Sequence, residues 1–265
     1  MRIFKRKLYE KLLDWKNNRS GRTAVLIEGA RRVGKSTLAR QFAQNEYESY
    51  VMIDFSIVKK DILELFDSIA DLDYFFLQLQ FRLGVSLKER KSLIIFDEVQ
   101  MCPKARQAIK HLVADGRYDY IETGSLISIR KNVKDIVIPS EEEKMVLHPL
   151  DYEEFKWALG DTTTIAQMRM IFEKRLSMGD AVTRKLMRDF RLYMAVGGMP
   201  QAVCEYLETN NLMDVDRVKR GIIQLYEDDF YRIDQSGRIS MLFDAIPAQL
   251  SSNASRFQVA SALGD

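Results

Sequence analysis

The stretch Gly29-Ala30-Arg31-Arg32-Val33-Gly34-Lys35-Ser36-Thr37 constrains this chain more than any other. It fits the spacing GxxxxGK[ST]. It follows a short apolar, β-rich run, Thr23–Glu28, and leads into Lys35–Gln44, a helix-like segment with Leu38, Phe42 and Ala43 on one side. A strand, a glycine-punctuated loop and an amphipathic helix in that order form a cradle for phosphate. Gly29 permits the sharp exit from the strand, and Gly34 lets backbone N–H groups wrap the anion. Lys35 reaches the β- and γ-phosphates as a mobile point charge. Ser36 supplies a hydroxyl to magnesium, and the helix beginning near Lys35 adds its positive dipole end. The expected phosphate-binding set is Gly29, Val33, Gly34, Lys35, Ser36 and Thr37, with Arg31 or Arg32 either touching phosphate or solvated.

The second informative stretch is Ser92-Leu93-Ile94-Ile95-Phe96-Asp97-Glu98, an apolar strand ending in two carboxylates. In a doubly wound sheet, ligands bind at the carboxyl ends of the strands. Asp97 is then placed to hold magnesium, and Glu98 to act as the general base on an attacking water. The next strand-like run, Tyr118–Glu122, leads into Thr123-Gly124-Ser125. A hydroxyl there would face the γ-phosphate and orient the lytic water; the spacing alone does not separate Ser125 from Thr123.

Strand, helix and strand alternate from Thr23 to His148. Tyr50–Phe55 and Met145–His148 read as further strands, and Ile57–Ile69, Asp71–Leu83 and Lys104–Ala114 as helices. This alternation predicts an α/β fold with a parallel sheet covered on both faces. From Asp151 the strands disappear, and Asp151–Leu159, Ile165–Ser177, Ala181–Val196, Gln201–Glu208 and Leu212–Tyr231 read as helices. Four parts are expected: a basic amphipathic helix over 1–22, an α/β domain over 23–150, an all-helical lid over 151–235, and the start of a linker or further domain over 236–265. Ser251–Asp265 shows no terminating feature, so more chain is expected beyond it. Glu141–Glu143 reads as an exposed loop, and His148 as a satisfied histidine between domains.

Composition removes several classes. Cys102 and Cys204 form no CxxC pair, and His111 and His148 lack HExxH spacing, so a disulfide scaffold and a zinc hydrolase are excluded. No apolar run approaches the roughly 20 residues that span a bilayer. The N-terminus lacks the apolar core of a secretory signal, and a cytoplasmic location is expected. The 40 basic and 38 acidic side chains leave a net charge of +2, so no global field demands a nucleic-acid or membrane partner. Charge is concentrated locally: Arg2, Lys5, Arg6, Lys7, Lys11, Lys16, Arg19 and Arg22 face only Glu10 and Asp14 in the first 22 residues.

The blocks LIEGARRVGKST (Leu26–Thr37), LIIFDEVQ (Leu93–Gln100), TGS (Thr123–Ser125), HPLDYEEF (His148–Phe155) and GGMP (Gly197–Pro200) together resemble AAA+ P-loop ATPases. More narrowly, the chain resembles a prokaryotic group in which an AAA-type ATPase core precedes a C-terminal domain of unknown function. The resemblance implies a five-stranded parallel sheet, a helical lid, and ATP and Mg2+ as cofactors. It assigns Gly29, Gly34, Lys35, Ser36 and Thr37 to phosphates and magnesium, Asp97 and Glu98 to the Walker B pair, and Ser125 to sensor 1. Relatives in this group continue into parts resembling a winged helix and a nuclease-like fold. Where many AAA+ relatives carry a trans-acting arginine, this chain has Glu141-Glu142-Glu143-Lys144. No arginine finger is therefore assigned, Arg130 being the nearby candidate, and Arg191 is the candidate lid sensor. The expected function is Mg-dependent ATP hydrolysis that changes the angle between core and lid. The alternatives are a nucleotide-binding switch with little hydrolysis and a phosphotransferase acting on a small hydroxyl substrate. DNA, a protein client and a second copy of the chain are the partners this reading admits.

Overall fold

The computed structural model describes residues 2–125, 140–251 and 256–263. Five strands form one parallel sheet: β1 (Ala24–Gly29), β2 (Ser49–Asp54), β3 (Ser92–Asp97), β4 (Asp119–Ser125) and β5 (Glu142–Leu147), in the order β2-β3-β4-β1-β5. The expected α/β class and strand number are found. Inserting β1 between β4 and β5 reverses the strand order beside the phosphate loop, which is where open α/β sheets bind ligands.

Strand alternation sorts each side chain to one of two cores. Val25 and Ile27 of β1, Leu93 and Ile95 of β3 and Ile121 of β4 face α1 (Leu8–Arg19) and α2 (Lys35–Glu46). Ala24, Leu26, Ile94, Phe96 and Tyr120 face α3 (Lys60–Leu65), α4 (Leu72–Leu83) and α5 (Pro103–Asp115). Helix α1 buries Leu8, Leu12 and Trp15, with the Trp15 indole N–H donating to Thr23 Oγ1 at 3.0 Å. The N-terminal helix begins only at Leu8, so Ile3 and Phe4 lie in the non-helical stretch before it. The helix expected over 57–69 shortens to α3 and one 3-10 turn, Phe66–Ser68.

Two buried carboxylates organise the sheet in ways the sequence did not reveal. Asp119, at the amino end of β4, is 3 % exposed. It accepts hydrogen bonds from Ser20 Oγ (2.8 Å), the Gly21 N–H (2.9 Å) and Tyr47 OH (2.8 Å), and pairs with Arg90 at 3.3 Å. Glu142, expected in an exposed loop, instead opens β5 with its side chain wholly buried. The countercharge from α5 makes this burial tolerable: Arg106 meets Glu142 in a two-pronged contact, 3.0 Å on each prong.

Glu122 of β4 is fully buried beside that pair, with the Glu142 carboxylate as its neighbour. Burial, and then the Glu142 carboxylate, push its pKa well above the ordinary 4.5. The folded chain therefore keeps a proton that the unfolded chain releases near 4.5, and stability falls as pH rises above that value. Glu122→Gln has no proton to lose. Its stability relative to the wild type, measured by urea denaturation, is expected to grow as pH rises above 4.5. Parallel pH profiles for the two proteins would refute the buried neutral acid.

Six further helices follow β5 in the next hundred residues: α6 (Tyr152–Ala158), α7 (Thr164–Glu173), α8 (Asp180–Val196), α9 (Pro200–Thr209), α10 (Leu212–Ile233) and α11 (Arg238–Asp244). Short helices α12 (Ile246–Ser251) and α13 (Val259–Leu263) come last. Asp151 starts α6 with a capping box: its side chain accepts the Glu154 N–H, and Glu154 reaches back to the Asp151 N–H. Tyr152 and Phe155 of α6 pack on Phe190 and Tyr193 of α8, with ring centroids 5.3 to 5.6 Å apart. The chain divides into two compact units, Met1–Cys204 and Glu205–Asp265. Within the second, Phe230 packs against Phe243 at 5.0 Å.

Candidate nucleotide site

The site forms where β1, β3 and β4 end together. Gly29 closes β1 opposite Ser125 of β4 and Leu147 of β5. A Cβ at Gly29 would lie 2.3 Å from the Leu147 carbonyl oxygen, so no larger residue fits without moving the backbone. The loop then turns through Arg32 (φ +67°) and Gly34 (φ +98°). The value at Gly34 is costly for any residue with a Cβ, and it sets up α2, which starts at Lys35. Leu38, Ala39, Phe42 and Ala43 are buried on α2 and fix the helix, and with it the loop, on the sheet.

Lys35 is 5 % exposed, and burial lowers its pKa. Its ammonium donates to the carbonyls of Gly29 (3.1 Å) and Ala30 (2.9 Å), so the charge lies within the loop. Ser36 Oγ donates to Asp97 Oδ1 at 2.7 Å. The hydroxyl residue that follows Gly34-Lys35 and the last residue of β3 thus meet across the sheet edge. Asp97 is 5 % exposed and also accepts a hydrogen bond from Thr123 Oγ1. Thr123 Oγ1 in turn accepts the Glu98 N–H at 3.3 Å. The hydroxyl of Thr123 therefore joins β4 to the acidic end of β3, while Ser125 lies two residues further on at the strand terminus.

Glu98 carries the left-handed conformation φ +54°, ψ +47°, an uncommon state for a residue with a side chain. Its carboxylate accepts a hydrogen bond from the Gln100 side-chain amide. Val33 is fully buried on the α2 side of the sheet. Arg191 is exposed on α8, and Arg130 lies outside the described residues. His148 is exposed, and it contributes its carbonyl rather than its ring to the packing of the site.

Sequence reasoning missed Arg6. It is 5 % exposed and donates from Nη1 to the carbonyl of Val33 in the loop at 3.0 Å. Nothing local marks it, because it stands among several basic residues and its partners lie far along the chain.

The oxygen donors brought together here, Ser36 Oγ and Asp97 Oδ1, suit a hard cation such as magnesium. No helix among the described residues is long and apolar enough to cross a membrane.

The profile of a family described as "AAA domain" matches residues 21–156, more than half of the chain, and a domain of unknown function matches residues 187–265. No curated protein matches the chain. Among solved structures, a Walker-type ATPase of Pyrococcus abyssi aligns with a TM-score of 0.53 at 18% identity, covering 91% of this chain and 79% of that one. The Orc1 protein of Aeropyrum pernix, solved in complex with DNA, aligns at 0.43 and 12% identity, covering 99% and 82%. A signal-transduction ATPase with numerous domains from Pyrococcus horikoshii aligns at 0.44 and 16%, covering 92% and 37%. The first of these supports the fold. With its phosphate-loop sheet and a profile match spanning the loop, the acidic strand end and Thr123–Ser125, the chain belongs to the AAA domain family.

Proposed function

We propose that the chain binds ATP with magnesium at the carboxyl edge of the sheet and hydrolyses it, using nucleotide state to drive a conformational change of helices α6 to α8, which follow β5. The observation that carries this reading is the convergence of Lys35, Ser36, Asp97, Thr123 and Glu98 at one sheet edge. In phosphoryl transfer the protein mostly positions groups and stabilises charge. Backbone N–H groups from Val33 to Thr37 hold the phosphates. The Lys35 ammonium exchanges two loop carbonyls for β- and γ-phosphate oxygens. Ser36 and Asp97 hold the metal, which supplies charge neutralisation on the phosphates. Glu98 accepts the proton of the attacking water. Thr123 keeps Asp97 and the Glu98 backbone in register, and Ser125, at the strand end, is placed to sense the γ-phosphate.

A second reading rests on Gln100. Its amide engages the Glu98 carboxylate, which is the group that must be free to take a proton. A chain that kept this contact with ATP bound would be a nucleotide-dependent switch with little turnover.

The test is titration of the protein with a fluorescent ATP analogue, alongside phosphate release. Lys35→Ala is expected to weaken ATP binding at least tenfold. Wild-type affinity in Lys35→Ala would refute the site, whereas tight binding without release in the wild type would select the switch. Adding double-stranded DNA to the same assay tests the nucleic-acid partner.

A further inference from the structure

Arg6 belongs to neither sequence motif, yet it is among the most heavily committed polar side chains near the loop. Its Nη1 donates to the Val33 carbonyl at 3.0 Å, and its Nη2 to the His148 carbonyl. Its Nε lies 3.3 Å from Glu154 Oε2, with both side chains 6% exposed. Glu154 is held from other sides too: its Oε1 accepts the Lys7 N–H at 2.6 Å, and its Oε2 accepts the Asp151 N–H at 3.3 Å. Lys7 adds ion pairs to Asp151 (2.5 Å) and Glu153 (2.7 Å). One buried guanidinium thus joins the phosphate loop, the exit of β5 and the first turn of α6.

The bond to Val33 matters because of peptide geometry. The Val33 carbonyl and the Gly34 N–H belong to one planar trans unit, so they point in opposite directions. Holding that carbonyl on Arg6 holds the Gly34 N–H on the opposite side of the peptide, pointing away from Arg6. Gly34 has no Cβ to restrict this rotation, and at φ +98° it occupies a region it can readily leave. A loop that must present N–H groups to phosphate therefore gains from an external anchor. Lysine cannot replace it, since only the planar fork of arginine donates to two carbonyls while facing a carboxylate.

We propose that Arg6 is a positioning residue for the phosphate loop: it aims the Gly34 N–H at bound phosphate and ties that aim, through Glu154, to the start of α6. The proposal rests on the nucleotide-binding reading above. It extends the site to the N-terminal stretch, which has no sequence motif of its own.

The experiment measures binding of ATP, AMP and inorganic pyrophosphate to the full chain, with the Gly34 amide followed by 15N-glycine NMR. In the wild type, pyrophosphate is expected to shift the Gly34 amide. In Arg6→Lys, the affinities for ATP and pyrophosphate should fall about tenfold, that for AMP should fall less, and the Gly34 shift should shrink. Lost packing alone would lower Tm and leave the ATP-to-AMP ratio unchanged, and that result overturns the proposal. Glu154→Gln keeps both carbonyl contacts and removes the ion pair, so it serves if the Arg6 variant does not fold. It should raise the pyrophosphate Kd about threefold, and an unchanged Kd there also overturns the proposal. A wild type that binds neither ATP nor pyrophosphate defeats the nucleotide reading itself. A wild type that binds both without turnover defeats only hydrolysis and leaves Arg6 fully tested.

Discussion

Glu98→Gln is expected to lower ATP turnover about 10²–10⁴-fold, the range over which a positioned general base contributes, while ATP affinity stays near that of the wild type. The carboxamide keeps the size of the side chain but cannot take a proton at neutral pH. The Glu98 N–H can still donate to Thr123 Oγ1, because that bond is made by the backbone. The Gln100 contact can also survive, since the oxygen of a glutamine at position 98 accepts from the Gln100 amide as the carboxylate does. The substitution therefore removes basicity while leaving the surrounding contacts in place. Asp97→Asn should behave differently. Asp97 accepts from both Ser36 and Thr123, and losing its charge weakens the metal site as well as the chemical step. Phosphate release measured beside nucleotide affinity separates the two: Glu98→Gln lowers the rate alone, and Asp97→Asn lowers both. Undiminished turnover in Glu98→Gln would remove Glu98 from the mechanism.

What the sequence made legible was local. Gly29 to Thr37 and Leu93 to Glu98 each carry their chemistry in adjacent residues, so their placement on a strand end and a helix start could be read directly. The capping residue Asp151 was equally readable as the start of a helix. Features that depend on pairing between distant segments were not. Thr123 and Ser125 share a strand face by alternation, and only the register of β4 on β3, with Phe96 opposite Glu122, brings Thr123 beside Asp97. An acidic run such as Glu141–Glu143 looks solvated until Arg106, from another element, is found against Glu142. Asp119 gives no local sign that Ser20, Gly21, Tyr47 and Arg90 converge on it. Arg6 is hidden for the same reason, since the carbonyl of Val33 has no signature in sequence.

Gly198→Ala is expected to destabilise the first compact unit strongly. A Cβ on Gly198 would stand 2.1 Å from the Leu150 carbonyl oxygen and 3.0 Å from its nitrogen, so backbone would have to move. That movement would strain the bond from the Leu150 N–H to the Gly198 carbonyl, 2.7 Å, and the bond from Tyr193 OH to the Leu150 carbonyl, 2.9 Å. Overpacking costs about 1–3 kcal/mol, and each bond lost adds about 1 kcal/mol. A total near 3–5 kcal/mol corresponds to a fall in Tm of roughly 6–20 °C for a domain of this size. Gly197→Ala provides the comparison. Its φ of +81° with ψ of −179° is almost exclusive to glycine, yet a Cβ there meets nothing within 4 Å. Strain alone should cost about 1–3 kcal/mol. Differential scanning calorimetry should therefore rank Gly198→Ala below Gly197→Ala in Tm. The reverse order would mean that backbone strain, and not the close approach to Leu150, sets the demand for glycine at this turn. The contact also bears on the site, because Leu150 follows β5, whose Leu147 carbonyl presses on Gly29. If that connection is stiff, Gly198→Ala should weaken ATP binding at temperatures where the protein is still folded. If only the turn is disturbed, affinity should remain at the wild-type value while Tm falls.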